Sequence, residues 1–125
     1  MTRSNINLNS AESAEIALKT FFNIMKEWNV NEAKQRILLG APDEFTFERW
    51  RRGNVTTLTS EVLERISYVL GIYKNLGILL SERAQANIWI NKPNEAFGGS
   101  TALGFMLLGQ MENLREVRHY LDTQL

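Results

Sequence analysis

Apolar side chains recur every three or four residues along most of this chain, which is the spacing of an amphipathic α-helix. The first run comprises Ala14, Leu18, Phe21, Phe22, Met25 and Trp28. The most regular run comprises Val62, Leu63, Ile66, Val69, Leu70, Tyr73 and Leu76. A last run comprises Leu114, Val117, Tyr120 and Leu121. The pattern predicts an all-α fold in which a long helix joins two small helical lobes.

Capping residues and glycines divide the chain between these runs. Residues that could cap a helix start are Asn31, Asp43, Thr59 or Ser60, Ser81, Ser100 or Thr101, and Asn113. Glycines that could end a helix are Gly40, Gly53, Gly77 and Gly109. In the short helices, the residues predicted to face inward are Ala33, Ile37, Ala84, Ile88 and Trp89. The helices that start after Asn31 and Asp43, with a glycine-containing turn between them, form the outline of a helix-turn-helix.

The third predicted helix has two different sides when its residues are placed about 100° apart. Phe47 and Trp50 lie on one side and should pack on the first helix. The candidate DNA-binding residues lie on the other side, on its flank or just beyond the helix: Phe45, Glu48, Arg49, Arg51, Arg52 and Asn54. In a DNA-binding helix-turn-helix the second helix enters the major groove, where arginine can pair with guanine or hold phosphate. The alternative is a solvated face, because Glu44 and Glu48 repel phosphate unless they accept from a cytosine amino group.

The segment Trp89–Gly109 has the pattern of a helix end, a tight loop and a short helix. Pro93 stops the incoming helix, and Gly98-Gly99 permits positive φ and close backbone approach. Two interpretations fit this pattern. One is a helical hairpin in the core, with glycines chosen for turn geometry. The other is a recognition surface that presents Phe97 and the glycine loop to another protein.

Composition and charge narrow the classes of function. The 125 residues include fourteen basic and fourteen acidic side chains, which argues against a cationic protein that coats nucleic acid. The chain has no cysteine and one histidine, so it lacks a thiolate nucleophile and the usual zinc-ligand spacings. We therefore expect a non-enzymatic protein without metal or cofactor. The polar N-terminus and the lack of any ~20-residue apolar run indicate a cytoplasmic protein with no membrane contact.

The spacing of residues in the segment Trp89–Gly109 resembles a known signature. It is that of the toxin-binding domain of the Xre/MbcA/ParS antitoxin family, which pairs with RES-domain toxins. The matching residues are Trp89, Pro93, Asn94, Ala96, Phe97, Gly98, Gly99, Ser100, Thr101, Leu103, Met106 and Gly109. Family members carry a helix-turn-helix ahead of this domain, whose recognition helix often ends in a tryptophan, a basic residue and glycine. The segment Trp50-Arg51-Arg52-Gly53 is similar to that ending.

With the helix pattern, the resemblance implies four parts of the chain. Residues 1–10 are expected to form a flexible tail, and residues 11–58 an Xre-like helix-turn-helix DNA-binding lobe. Residues 59–80 are expected to form a connecting helix, and residues 81–125 the toxin-binding domain. The implied toxin-binding residues are Trp89, Asn94, Phe97, Gly98, Gly99 and Leu103, with the Leu125 carboxylate reaching toward the toxin's substrate cleft.

The function implied by the resemblance is that of an antitoxin in a type II toxin–antitoxin pair. The C-terminal lobe would bind and block a RES-domain toxin that consumes NAD or transfers ADP-ribose. The helix-turn-helix lobe of a homodimer would bind promoter DNA and repress the operon. Two alternatives remain open. One is a stand-alone helix-turn-helix transcriptional regulator whose C-terminal lobe only dimerises, and the other is a structural adaptor with a vestigial helix-turn-helix.

Overall fold

The structure, a computed structural model, describes residues 11–125, so the predicted flexible tail at residues 1–10 lies outside the described residues. Within the described range the chain forms α-helices, one 3₁₀ turn and no strand. The helices are α1 Ala11–Glu27, α2 Glu32–Leu38, α3 Glu44–Arg51, α4 Ser60–Leu79, α5 Arg83–Trp89, α6 Ala102–Met106 and α7 Met111–Gln124, and the 3₁₀ turn is Glu95–Phe97. The predicted all-α fold is confirmed. In this part of the chain no helix is both long and apolar enough to cross a membrane.

Side-chain caps start four of the helices where the sequence predicts them. In each, the cap oxygen accepts from the backbone N–H three residues ahead and satisfies one of the free donors of the first turn. The distances are 3.0 Å at Asn31, 2.8 Å at Asp43, 3.2 Å at Thr59 and 2.8 Å at Thr101. The structure therefore selects Thr59 over Ser60 and Thr101 over Ser100 as the capping residues.

The predicted boundaries of α4 and α5 are wrong by one or two residues. Gly77 does not end α4, which continues to Leu79. Glycine at this position instead makes room for the side chain of Arg83, because a Cβ on residue 77 would lie only 2.5 Å from its Nη2. The next helix starts after Glu82, which makes no side-chain cap, and not after Ser81.

The predicted start of the last helix is also wrong. α7 begins at Met111, two residues before the predicted cap. Asn113 is therefore inside the first turn, where its Oδ1 accepts from the backbone N–H of Gln110 at 3.0 Å. This is the second half of a capping box, in which the third helical residue reaches back to the residue before the helix. The polar residue has a capping role, but from inside the helix.

α4 lies at the centre of the fold and packs against α1, α5 and α7. Side chains from both lobes belong to one hydrophobic core. Its largest fully buried members are Trp28, Phe21, Phe47, Leu18, Met25, Leu38, Leu39, Ile66, Ile72, Leu76, Ile90 and Met106. Gly71, in the middle of α4, lies directly against the side chain of Arg118 on α7, which a β-carbon there would meet. The long helix thus joins the two lobes, as predicted.

The predicted inward faces of α2 and α5 are wrong except at Trp89, which is half-buried and packs against the core. Ala33 and Ile37 on α2, and Ala84 and Ile88 on α5, are exposed. The residues buried there are Leu38, Leu39, Ala86 and Ile90. Each of these helices has seven residues, which is about two turns. Apolar spacing over so few turns leaves the rotation of a helix open, and contacts with the rest of the chain determine it.

Candidate functional site

α2, α3 and the turn between them form the helix-turn-helix. The turn places Ala41 at φ 60°, a left-handed conformation that is uncommon outside glycine. The Arg36 guanidinium donates to the carbonyl oxygen of Pro42 at 2.8 and 3.0 Å and so holds the turn against α2. Asp43 then caps α3, and hydrogen bonds from Thr46 lower the pKa of its carboxyl below the ordinary value. The cap therefore remains ionised at neutral pH.

The inner side of α3 is fixed by aromatic packing on α1, as predicted. Phe47 is buried, and its ring meets that of Phe22 edge to face at a centroid distance of 5.9 Å. Phe22 in turn contacts Phe21 at 5.4 Å, and Trp50 packs half-buried against the core. These contacts set the rotation of α3 about its axis and hence the side chains that it presents to solvent.

The outer side of α3 carries an exposed phenylalanine among charged residues. Phe45 is 74% exposed, and the Arg49 guanidinium lies over its ring, 5.9 Å from the centroid. Arg52, at the C-terminal end of α3, is exposed. Together with Glu44 and Glu48, these three residues line one shallow groove. The structure thus brings four of the candidate DNA-binding residues (Phe45, Glu48, Arg49 and Arg52) to one surface.

The other two candidate DNA-binding residues lie elsewhere. Arg51 forms ion pairs with Glu32 of α2 at 3.0 Å and with Glu48 at 3.2 Å, so its guanidinium joins the two helices. Glu48 is also partly neutralised by this pair. Asn54 is exposed beyond α3, and its backbone N–H donates to the carbonyl oxygen of Arg49 at 2.9 Å. Of the three arginines Arg49, Arg51 and Arg52, only Arg51 forms an ion pair among the described residues.

A compact loop at residues 93–101 separates α5 from α6, and Asn94 organises it. The Asn94 side chain accepts from the N–H of Ala96 at 2.9 Å, and its carbonyl accepts from the N–H groups of Phe97 and Gly99 at 3.0 and 3.1 Å. Its own N–H donates to the carbonyl oxygen of Ser100 at 2.9 Å. The residue therefore stabilises the loop through both side chain and backbone.

The double glycine at the tip of this loop is exposed. Gly98 and Gly99 have φ values of 68° and 87°, and a β-carbon on either would meet nothing within 4 Å. Their positive φ values, and not crowding, explain why glycine suits these positions. An exposed backbone without side chains can be approached closely by another molecule.

Phe97 lies beneath the loop and not on its surface, so the prediction that it is presented to another protein is wrong. Its ring contacts Phe105 and Tyr120 at centroid distances of 5.4 Å and Trp89 at 6.3 Å, and only 8% of the residue is exposed. We call these four residues the aromatic cluster. The cluster joins α5, α6 and α7, and burial of the largest apolar surface in the loop explains the position of Phe97.

The remaining candidate toxin-binding residues fall into buried and exposed groups. Leu103 is buried, and its N–H donates to the carbonyl oxygen of Ile90 at 3.0 Å, so it supports the lobe from inside. Leu125 is 60% exposed at the end of α7. Trp89 is half-buried and stacks on Tyr120 at 6.4 Å.

Trp89 also borders a surface groove that sequence reasoning missed. With Leu80 and Ile88 it supplies the apolar part of this groove, which Gln85 and Lys92 complete. We call it the α5 groove. Ile88 is 56% exposed there. The helical spacing identified Ile88 as an apolar position, but the sequence analysis placed it inside the protein. The groove was therefore not predicted.

Two buried polar residues of α4, also missed, hold the lobes in place. Arg65 donates to the carbonyl oxygens of Leu38 at 3.4 Å and Gly109 at 3.0 Å. Asn75 donates to the Asp122 carboxylate at 2.7 Å, which lowers the pKa of Asp122. Both occupy positions among the apolar residues of α4, which is the pattern that could have revealed them.

Comparisons with known proteins agree with this two-part arrangement. Residues 8–71 match the family model of the antitoxin Xre-like helix-turn-helix domain, and residues 75–124 match that of the antitoxin Xre/MbcA/ParS C-terminal toxin-binding domain. The chain belongs to the Xre/MbcA/ParS antitoxin family. It is also similar to the uncharacterized protein y4oB of Sinorhizobium fredii, with 38% identity over 117 residues that cover 92% of this chain and 90% of y4oB. The two antitoxin domain matches meet inside α4, the helix that packs on both lobes.

Proposed function

We propose that this member of the antitoxin family binds a RES-domain toxin through its C-terminal lobe and blocks the toxin's NAD-consuming active site. It acts in the cytoplasm by binding and not by catalysis. As a homodimer it also binds the promoter DNA of its operon through the helix-turn-helix and represses transcription.

The exposed surface of the C-terminal lobe is the observation that supports toxin binding. The α5 groove supplies an apolar contact, and Trp89 links it to the aromatic cluster beneath the glycine loop. Apolar and aromatic side chains dominate the binding energy of protein interfaces. The buried residues Phe97 and Leu103 pack beneath this surface and stabilise its conformation. Gly98 and Gly99 expose backbone that a partner can contact.

Co-expression with the product of the adjacent gene tests toxin binding. We expect that product to consume NAD, to co-purify with the full chain and to lose its activity in the complex. Ile88→Asp should weaken the complex by roughly thirtyfold, the equivalent of a ~2 kcal/mol contact. Ile16→Asp is the matched control, because Ile16 lies on α1 with a similar exposure of 59%. Titration calorimetry would measure the affinity of both variants for the toxin.

Three results would count against the proposal. Equal losses from Ile88→Asp and Ile16→Asp would show that the α5 groove is not the toxin surface. An adjacent protein that does not consume NAD would exclude a RES-type partner. A chain that pairs with itself through Ile88 and binds no toxin would favour the stand-alone regulator.

In this proposal, repression of the operon depends on phosphate contacts by Arg49 and Arg52, which form no ion pair among the described residues. Arg52→Ala should weaken binding to the DNA upstream of the gene and make the slope of log affinity against log salt shallower by about one. Arg115→Ala is the control, since this α7 arginine is half exposed and paired with Glu112 at 3.4 Å. A DNA affinity that does not change with salt concentration would contradict phosphate contact.

A further inference from the structure

We propose that Phe45 reads the 5-methyl group of thymine in the major groove, with Arg49 held beside it over the face of its ring. The inference depends on the proposed DNA binding and adds a sequence preference to it. It concerns one step of recognition, the direct contact between α3 and a base edge.

The exposure of Phe45 distinguishes it from the other phenylalanines of the chain. Of six phenylalanines, three are buried and two are half-buried, whereas Phe45 is 74% exposed. A single exposed apolar residue on an ordinary surface needs no explanation. Phe45, however, is the second residue of α3, and the first residues of a recognition helix are those that contact base edges.

The chemistry of the surroundings favours a base edge over a phosphate. A phenyl ring has no hydrogen-bond donor for phosphate, but it can contact the thymine methyl, the one apolar group on the major-groove edges of the bases. Arg51 pairs with both Glu32 and Glu48. With Glu32 and Arg51 included, three carboxylates (Glu32, Glu44 and Glu48) face three guanidiniums (Arg49, Arg51 and Arg52), so the charge of this surface sums to zero. An apolar contact to a base edge is compatible with a surface that has no net charge.

Arg49 gives the contact a defined geometry. Its guanidinium lies 5.9 Å from the centroid of the Phe45 ring, within the range of a cation–π interaction. A guanidinium held in this way loses less freedom when it binds a neighbouring guanine or a phosphate. Phe45 therefore both contacts a base and positions the arginine one helical turn later.

Replacement of thymine by uracil tests the inference without knowledge of the operator sequence. Uracil lacks only the 5-methyl group, so two duplexes of the DNA upstream of the gene, one made with thymidine and one with deoxyuridine, have the same hydrogen-bonding groups and differ in covalent structure only at that methyl group. We expect the full chain to bind the uracil duplex more weakly, by roughly fourfold for each methyl group contacted, as for one buried CH₂. Phe45→Ala should bind the thymidine duplex more weakly than the parent chain does, and its ratio of affinities for the two duplexes should be smaller than the parent ratio.

Two control variants separate the methyl contact from other effects. Phe45→Leu keeps an apolar contact and should still prefer the thymidine duplex. Ile78→Ala removes another exposed apolar side chain, 60% exposed near the end of α4, and should keep the parent ratio. Because uracil also changes the shape of the duplex, the difference between the parent and Phe45→Ala ratios is the quantity that reports the contact.

The outcomes are distinguishable. Parent binding that is salt-dependent but equal on the two duplexes, or a Phe45→Ala ratio equal to the parent's, would overturn the thymine contact and leave DNA binding intact. Failure of the parent to bind either duplex would overturn the proposed DNA binding and this inference with it. If Phe45→Ala changed the mass of the assembly in light scattering but left the ratio of affinities for the two duplexes unchanged, the Phe45 ring would belong to a protein interface.

Discussion

Replacement of Phe97 by alanine is expected to lower the free energy of unfolding by about 3–5 kcal/mol, the usual cost of removing a buried aromatic ring. The ring contacts Trp89, Phe105 and Tyr120, so the cavity would open between α5, α6 and α7. Toxin binding should fall as well, because the lobe loses its shape. Urea unfolding of the isolated chain and titration with toxin would measure the two effects.

Phe97→Leu is the matched control for this prediction. Leucine retains most of the apolar volume and should cost only about 1–2 kcal/mol, with toxin binding largely preserved below the unfolding transition. A Phe97→Ala chain with parent stability that no longer binds toxin would contradict the buried role. That result would return Phe97 to the contact surface predicted from the sequence.

The features that followed from the sequence are those that depend on neighbouring residues. The caps at Asn31, Asp43 and Thr59 each need one side-chain oxygen and one N–H three residues away, so local sequence is enough to predict them. The two sides of α3 also followed, because helical spacing puts Phe47 and Trp50 on one side and Phe45 on the other. The helix starts with a side-chain cap three residues before the N–H, and the longer amphipathic faces, were therefore predictable.

The features that were missed depend on contacts between distant parts of the chain. The pattern of the segment Trp89–Gly109 singles out Phe97 as a residue of the toxin-binding domain. Burial of the Phe97 ring, however, requires Tyr120 from α7 and Phe105 from α6. No local pattern links these three rings. The same limit explains Ile88, which has helical spacing and yet borders the exposed α5 groove.

Arg65 shows how an unusual residue in an apolar pattern can indicate a structural role. It lies on α4 between residues that pack into the core, and only 6% of it is exposed. Its Nε donates to Glu61 at 3.2 Å, while its two terminal nitrogens reach Leu38 and Gly109. A buried arginine requires several acceptors, and two of these lie 27 and 44 residues away in sequence.

Replacement of Arg65 by alanine is expected to destabilise the chain by about 2–5 kcal/mol, because the carbonyl oxygens of Leu38 and Gly109 would lose their donor. The positive charge also suits the C-terminal end of α2, where free carbonyl groups carry partial negative charge. Since one side chain holds α2 of the helix-turn-helix and the turn before α7, DNA binding and toxin binding should weaken together. Thermal unfolding and the two binding assays would measure this.

Glu61→Gln is the control that isolates the carbonyl contacts. The Glu61 side chain is 63% exposed, so loss of its ion pair with Arg65 should cost less than about 1 kcal/mol. Arg65→Lys keeps the charge but lacks the planar group that donates in several directions. Its loss of stability should fall between those of Glu61→Gln and Arg65→Ala. If Glu61→Gln destabilised the chain as much as Arg65→Ala, the ion pair would be the stabilising contact. If Arg65→Ala impaired only one binding activity, the guanidinium would serve one lobe alone. The joint loss is therefore the result that distinguishes a connection between the lobes from local packing.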